Sequence, residues 1–124
     1  MSYFQDVVQF HCKFGIQYQG PPRALPEDLF KFRIKRLADE HCEYLDAVAA
    51  GIHKDQLDAL VDLVYIALGN AHLHGWDFDE AWKRVHAANM SKERASVRNP
   101  GKYGHFTDIV KPAGWSAPQL DDLV

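Results

Sequence analysis

Residues 54–73, KDQLDALVDLVYIALGNAHL, decide the fold class of this chain. Leucine and valine recur in this stretch at spacings of three and four, which is the period of a helix with one apolar side. Asp55, Asp58 and Asp62 keep the same spacing and fall within about 60° of one another on a helical wheel. We therefore predict a helix over Lys54–Leu73 that carries a row of acids beside an apolar stripe. The stripe consists of Leu57, Leu60, Val61, Val64 and Leu68.

The stretch before this helix has the same two features. Apolar spacing predicts a helix over about Glu27–Ala50, which Gly51 ends because glycine commonly closes a helix. Glu40 and Glu43 are three residues apart and hence neighbours on its surface. Glu40 also lies only about 60° from the direction of Leu37, so it borders the predicted core. The stripe predicted to be buried consists of Leu37, His41, Tyr44, Leu45 and Val48.

Two shorter helices flank this pair in the sequence. Apolar spacing predicts the first over about Tyr3–Phe14, and the prolines of QGPPRALP (residues 19–26) then break it. Asp77 and Glu80 have the spacing of a capping pair and predict the start of a fourth helix, which carries Asn89. No stretch of the first hundred residues alternates as a half-buried strand does. We therefore predict an all-α fold of four helices with antiparallel neighbours.

The chain changes character from Asn99 onward. This part of the sequence is rich in glycine and proline, which predicts an ordered but irregular tail. One short strand is predicted within it, over Phe106–Val110. The whole length of 124 residues fits a single domain over residues 1–124.

The charge and the cysteines limit the possible functions. Fourteen Lys and Arg against 17 Asp and Glu give a net charge of −3. That balance argues against a protein that binds nucleic acid or a membrane by bulk electrostatic attraction. No stretch approaches the ~20 apolar residues that span a bilayer. Two cysteines, Cys12 and Cys42, favour buried free thiols in a reducing compartment, so we expect a cytoplasmic protein.

The acidic rows of the two long helices predict a metal site. Aligned like charges repel at a spacing of four residues, so carboxylates at the border of a core need a cation nearby. Oxygen ligands without cysteine favour Mg²⁺, or Mn²⁺, over zinc. Bound magnesium commonly completes its shell with water and substrate phosphates, which predicts a phosphate-bearing substrate. The alternative is that both rows are solvated faces, paired with the nearby Arg33, Lys35, Arg36 and Lys54.

The same residues resemble the MazG-like and phosphoribosyl-ATP pyrophosphohydrolase-like superfamily. DEHCE (residues 39–43) is similar to its E-E-x-x-E motif, with aspartate at the first glutamate. DALVDLVYIALGNA (residues 58–71) is similar to its E-x-x-D helix, with Asp62 at the aspartate. The glutamate position of that helix is Ala59, but Asp58, one residue earlier, stays on the side of the helix that carries Asp62.

Short, often phage-encoded members of this superfamily are closer still. Their ordered pattern of D-A-L-x-D-L-x-Y, G, A-N-M-x-K and K-P-x-G-W is similar to residues 58–65, 69, 88–92 and 111–115. The resemblance covers most of the chain and implies a four-helix MazG-like bundle with an irregular Gly/Pro-rich C-terminal tail. Family members assemble as dimers or tetramers in which a neighbouring subunit completes the active site. We therefore expect a homodimer or homotetramer.

The resemblance also implies a reaction. A nucleoside triphosphate is hydrolysed to the monophosphate and pyrophosphate by metal-assisted attack of water on the α-phosphorus. Glu40, Glu43 and Asp62 are the implied ligands of Mg²⁺, with Asp58 as a further ligand. The general base is one of these carboxylates or Asp39. We expect an NTP or dNTP as substrate, and a purine deoxynucleotide such as dGTP is one candidate.

Further residues are implied to bind the substrate. Asn89 and Lys92, three apart on the fourth helix, contact phosphate or sugar, and Lys92 is counted with the three carboxylates as catalytic. Lys111 in the tail stabilises charge on the leaving pyrophosphate. His11 either reads the edge of the base or is the buried end of an amphipathic helix. Asn70 either reaches a base edge or only finishes its helix.

A second class of function is compatible with the same residues. The chain would then be a catalytically idle nucleotide sensor or assembly protein that keeps the family fold. Ala59 at a ligand position favours this alternative, whereas the intact set of Glu40, Glu43 and Asp62, with Lys92, favours an enzyme. Turnover discriminates between them, because a sensor binds the triphosphate without releasing pyrophosphate.

Overall fold

The computed structural model describes residues 1–124 as two compact units. Met1–Phe78 together with Leu123–Val124 form the first unit, and Asp79–Asp122 form the second. The helices are α1 (Tyr3–Lys13), α2 (Glu27–Ala50), α3 (His53–Leu73) and α4 (Phe78–Met90). The remaining elements are the strands β1 (Glu93–Arg94) and β2 (Ile109–Val110) and a 3₁₀ turn (Asp121–Leu123). The all-α class with four helices is confirmed, and none of these helices has the length and apolarity that a membrane span requires.

Local sequence signals set the ends of the helices. Ser2 caps α1, because its hydroxyl accepts a hydrogen bond from the Gln5 backbone at 3.1 Å and its own N–H donates to the Gln5 side chain at 3.3 Å. Gly51 ends α2 in the left-handed conformation, with φ +69°. The helix α1 ends one residue before the predicted Phe14, and α3 begins one residue before the predicted Lys54. Differences of this size are usual at helix ends.

The central helix of the first unit is α3, since it packs against both α1 and α2. The buried side chains of this unit include small apolar ones, such as Ala47 on α2 and Ala59 on α3. Four polar side chains are buried as well, and they are His11, Arg33, Glu40 and His72. A buried polar group without a partner costs about 1–3 kcal/mol, so the partners of these four groups decide how the unit is held together.

The predicted buried stripe of α2 is wrong at three of its five positions. His41, Leu45 and Val48 are exposed, whereas Leu37 and Tyr44 are half-buried. The residues that are buried on α2 follow a spacing of seven and are Arg33, Glu40 and Ala47. The helix is therefore rotated about its axis, so that the edge with Glu40 faces the interior in place of the apolar stripe.

The predicted stripe of α3 is exposed along most of its length. Leu57 is 66% exposed and Val61 is 53% exposed, and of the five predicted residues only Leu68 is buried. The small residues Ala59 and Gly69 are buried instead. Small side chains let two helices approach closely. Because α2 and α3 are close here, the neighbouring acids lie at the contact between them.

The segment between α1 and α2 is tied to the end of α3. The Tyr18 backbone N–H donates a hydrogen bond to Nε2 of His72 at 3.0 Å. Nε of Arg23 donates to the Leu73 carbonyl at 2.9 Å, and the Arg23 guanidinium lies 3.7 Å from the centroid of the Tyr18 ring. These contacts hold the proline-containing segment in one path, although it has no regular secondary structure.

The two cysteines are free, as predicted, but both are exposed and not buried. Cys12 follows the buried His11 by one residue, and Cys42 follows the buried Glu40 by two. Since each residue of a helix turns by about 100°, both thiols point away from the interior.

Two predictions for the second unit differ from the structure. The helix α4 ends at Met90, so Lys92 does not lie on the helix on which it was predicted. The backbone N–H groups of Ser91 and Lys92 donate to carbonyls three residues back, which tightens the last turn and ends the helix. The predicted strand over Phe106–Val110 is reduced to β2, which pairs antiparallel with β1. A strand of two residues, as β1 is, has no detectable periodicity in sequence.

Replacing Gly51 by alanine is expected to lower the free energy of unfolding by about 1 kcal/mol, because alanine is strained at a positive φ. No atom lies within 4 Å of a Cβ placed there, so the effect would come from the backbone alone. Urea denaturation measures it. Gly51→Asn is the matched control and should cost less, since asparagine tolerates this conformation better. Equal stability of Gly51→Ala and the parent protein would contradict the assignment of this cap.

Candidate metal centre

Three carboxylates converge between α2 and α3. One oxygen each from Glu40, Glu43 and Asp62 lies within 4.8 Å of the other two. Glu40 and Glu43 lie on one side of α2 because residues three apart on a helix are neighbours. Asp62 reaches them from α3. The structure thus brings together three of the four predicted metal ligands, and we call these three residues the carboxylate cluster.

Glu40 is the most deeply buried member of the cluster, with 4% of its surface exposed. Arg36, one turn earlier on α2, donates a hydrogen bond from Nη2 to Oε1 of Glu40 at 2.7 Å. The other oxygen, Oε2, is buried and without a hydrogen-bond partner when the carboxylates are ionised. An unpartnered buried acceptor is unfavourable, and a cation beside it would remove that cost.

Burial and crowding raise the pKa of two of these carboxyl groups. Burial raises the pKa of Glu40, and so does the charge of Glu43 beside it, while Arg36 acts in the opposite direction. In its protonated form, Glu40 would also share a hydrogen bond with Glu43. Burial and the charges of Asp58 and Glu43 raise the pKa of Asp62. The cluster therefore disfavours its own ionised form, which is the form that a divalent cation stabilises.

The donor atoms of the cluster fit a hard divalent cation. All three are carboxylate oxygens, which suit Mg²⁺ or Mn²⁺ better than zinc. Two oxygens bound to one Mg²⁺ at about 2.1 Å lie at most about 4.2 Å apart. The cluster oxygens, within 4.8 Å of one another, need only a small side-chain adjustment to reach that geometry. Three protein ligands would leave the other coordination positions to water and to phosphate oxygens.

Asp58 lies outside the carboxylate cluster. Its side chain is exposed, yet its charge is close enough to raise the pKa of Asp62. Asp58 lines a groove of about 370 Å³ together with Glu43, Asp46 and Asp55. Its role as a fourth ligand stays a prediction.

Asp46 was not among the predicted site residues, and Arg36 was named only as a partner of the acids if both rows are solvated faces. Asp46 follows Glu43 by three residues, and Arg36 precedes Glu40 by four. Both spacings place side chains next to each other on a helix, so the signal was present in the sequence. It could not be used until the structure showed which face of α2 carries the cluster.

Two of the predicted substrate contacts, His11 and Asn70, lie in the first unit away from the cluster. His11 is 2% exposed and its ring centroid is 5.0 Å from that of His72. Burial, with smaller effects from the charges of His72 and Arg33, lowers the pKa of His11 to about 4. Asn70 is half-buried, and its Oδ1 accepts a hydrogen bond from Nε of Arg33 at 2.6 Å. Contact of either residue with a base stays a prediction.

The predicted phosphate-binding lysines meet at one tryptophan of the second unit. Nζ of Lys92 lies 5.1 Å and Nζ of Lys111 lies 5.0 Å from the centroid of the Trp115 ring. Nε1 of Trp115 donates a hydrogen bond to the Ala88 carbonyl at 2.9 Å, which ties the indole to the end of α4. Asn89 is exposed on the same turn. The structure thus gathers these side chains, and their contact with phosphate stays a prediction.

The fold and the cluster define a class of protein, namely all-α proteins with a cluster of carboxylates between two helices. The family model for phosphoribosyl-ATP pyrophosphohydrolase matches residues 7–89, a range that includes all three carboxylates. The chain belongs to this family, and the resemblance to the MazG-like superfamily is thereby confirmed. Membership supports an activity of the nucleotide pyrophosphohydrolase type, and the family is typically metal-dependent. The comparison with curated proteins gave no match.

Replacing Asp62 by asparagine is expected to stabilise the metal-free protein at neutral pH by on the order of 1 kcal/mol. The raised pKa values of Glu40 and Asp62 mean that the folded chain binds protons more tightly than the unfolded chain. Their contribution to the free energy of unfolding is therefore present at acidic pH and lost as the pH rises through the folded-state pKa values. Urea unfolding from acidic to neutral pH measures the difference between variant and parent, which should grow with pH.

The matched control is Asp28→Asn, which removes an exposed carboxyl three turns away on α2. The free energy of unfolding of this control, relative to the parent protein, should not increase with pH. Mg²⁺ or Mn²⁺ should stabilise the parent protein and the control but not Asp62→Asn. Equal stabilisation of all three by the metal would show that the cluster does not bind it.

Proposed function

We propose that this protein hydrolyses a nucleoside triphosphate to the monophosphate and pyrophosphate, with Mg²⁺ or Mn²⁺ held by Glu40, Glu43 and Asp62. One observation carries the proposal, which is the convergence of three carboxylates that include the buried Glu40, whose Oε2 has no hydrogen-bond partner. Like charges are unfavourable at this distance without a cation between them. Family membership supports the reaction class, and the cluster is the site that we propose for it.

The three carboxylates do different work in this proposal. Glu40 is buried and fixed by Arg36, so it anchors the site from the interior side. Glu43 is exposed and Asp62 is half-buried, so the site is open to solvent on their side. A polyphosphate can reach it from there. The bound cation, as in other metal-dependent phosphohydrolases, would polarise the phosphate and lower the pKa of a water molecule.

Lys92 and Lys111 are the residues that we propose for phosphate recognition. Their ammonium groups lie within about 5 Å of the same indole ring, so the second unit concentrates two positive charges at Trp115. A leaving pyrophosphate gains negative charge during the reaction, and nearby cations stabilise that charge. Asn89, exposed beside them, is the proposed contact for sugar or phosphate.

The proposed substrate is a nucleotide with an intact triphosphate. The similarity of residues 58–65, 88–92 and 111–115 to short phage-type members favours a deoxynucleotide, and a purine such as dGTP is our candidate. Discrimination between bases depends on a few polar contacts in the pocket. A direct comparison of substrates is therefore the way to establish the preference.

Glu43→Gln is expected to lower kcat by roughly 100-fold or more, because it removes a charged ligand and leaves the helix intact. The parent protein should convert at least one NTP or dNTP to monophosphate and pyrophosphate in Mg²⁺ or Mn²⁺, and not in EDTA. Anion-exchange chromatography of the products measures both. Asp28→Asn is the matched control and should keep the parental rate. Release of nucleoside diphosphate and phosphate would show cleavage between the β- and γ-phosphates and contradict the proposal.

The sensor remains the competing function, and Ala59 is the observation that favours it. Ala59 is buried at 4% exposure, so a methyl group occupies the position of an implied ligand. A sensor would bind a triphosphate in calorimetry and release no pyrophosphate from any of the eight common nucleotides. That result would contradict the proposed enzyme activity and support the sensor.

We also propose that a second copy of the chain covers the exposed apolar stripe of α3. Leu60, Val61 and Val64 line a groove of about 500 Å³ on the first unit, with Tyr3 and Tyr65 beside them. Contiguous exposed apolar surface of this kind is typical of protein interfaces. A two-fold contact suits it, because one stripe offers the same surface to both copies. The assembly would be a homodimer, or a homotetramer if a second contact is used.

Replacing Leu60 and Val64 together by lysine is expected to convert the assembly to a smaller species, because like charges would face each other across the contact. Sedimentation velocity at micromolar concentration measures the change. Val97→Lys is the matched control, since Val97 is a fully exposed apolar residue of the second unit. An unchanged sedimentation coefficient in the double variant would exclude this face as the interface.

A further inference from the structure

A buried arginine joins α2 to α3 at a distance from the carboxylate cluster. Arg33 on α2 is 8% exposed. Its Nε donates a hydrogen bond to Oδ1 of Asn70 at 2.6 Å, and its Nη2 donates one to the Ile66 carbonyl at 3.0 Å. Both acceptors belong to α3, so one guanidinium binds two successive turns of the neighbouring helix. We call this group, Arg33 with Asn70 and the Ile66 carbonyl, the arginine clamp.

Gly69 provides the space for the arginine clamp. A Cβ atom at this position would lie 2.5 Å from Nη2 of Arg33, which is closer than such atoms come in proteins. It would also lie 3.1 Å from the ring of His11 on α1. The guanidinium is thus enclosed where α1, α2 and α3 meet. Its planar fork binds two acceptors at once, which a lysine ammonium cannot reproduce in the same geometry.

The arginine clamp and the carboxylate cluster share one helix contact. Arg33 and Glu40 lie seven residues apart on the buried face of α2, about 10 Å along its axis. Asn70 follows Asp62 by eight residues on α3. A shift of α2 along α3 would therefore break the clamp. The same shift would move Glu40 and Glu43 away from Asp62. Near the other end of the contact, Nε2 of Gln56 on α3 donates one hydrogen bond to the Ala47 carbonyl on α2 at 3.3 Å. The arginine clamp has two shorter hydrogen bonds, at 2.6 and 3.0 Å.

We propose that Arg33 is a positioning residue for the metal centre, acting through the register of α2 on α3 and not by contact with the metal. Without a cation, repulsion within the cluster pushes the two helices apart, and the arginine clamp opposes it. Carboxylates that are already in place bind a cation more tightly, because binding does not have to supply the cost of assembling them. This inference rests on the proposed metal site.

The test is a titration of the full-length protein with Mn²⁺, followed by electron paramagnetic resonance in the absence of nucleotide. Arg33→Lys keeps the charge and loses the fork, and Asn70→Ala removes the acceptor. Each should raise the Kd for Mn²⁺ by about tenfold. Asn70→Asp keeps an oxygen acceptor for the guanidinium and should bind Mn²⁺ as the parent protein does. A substrate contact by Asn70 would not affect these values, since no substrate is present.

Val7→Ala is the matched control for a general loss of stability. Val7 is 1% exposed on α1, so its truncation weakens the unit without touching the arginine clamp. A similar loss of Mn²⁺ affinity in Val7→Ala would overturn the inference. Should Arg33→Lys fail to fold, the pair Asn70→Ala and Asn70→Asp decides, and equal Mn²⁺ affinity in both would overturn it. A parent protein that binds no Mn²⁺ would reject the metal site itself, whereas parental affinity in both clamp variants would reject only the role of Arg33.

Discussion

The structure of the first unit depends on holding three carboxylates at close range between two helices. Burial and mutual repulsion raise the pKa of Glu40 and Asp62, so the ionised cluster is unfavourable on its own. Folding has to offset that cost, and the divalent cation that we propose for the site would remove it. Binding of a cation would thus lower the electrostatic free energy of the cluster. The two helices that carry the carboxylates hold them in place.

Two arginines of α2, the half-buried Arg36 and the buried Arg33, act beside this cluster. Arg36 donates directly to Glu40, and Arg33 bonds to α3 two turns away. The first neutralises charge next to the cluster, and the second fixes the helix contact on which the cluster depends. Neither would be expected in an apolar core, where a guanidinium without acceptors is strongly unfavourable.

The same constraint explains why large apolar side chains lie on the surface of this unit. Because the contact between α2 and α3 is occupied by carboxylates and small residues, Leu57, Val61 and Val64 of α3 face outward. A chain that uses its interior for binding chemistry has to bury its apolar surface elsewhere. A second copy is the partner that we propose for it, and this links the assembly of the protein to the composition of its site.

The sequence by itself determined what depends on neighbours along the chain. It set the helix ends at Ser2 and Gly51, and it placed Glu40 beside Glu43, because capping and spacings of three or four are local properties. Only the tertiary structure decided how each helix is rotated, which of Asp58 and Asp62 joins the cluster, and that Arg33 meets Asn70. It also brought Lys92 and Lys111 to the same tryptophan. These outcomes depend on contacts between distant segments, and an apolar stripe next to an acidic row does not by itself show which of the two a neighbouring helix will cover.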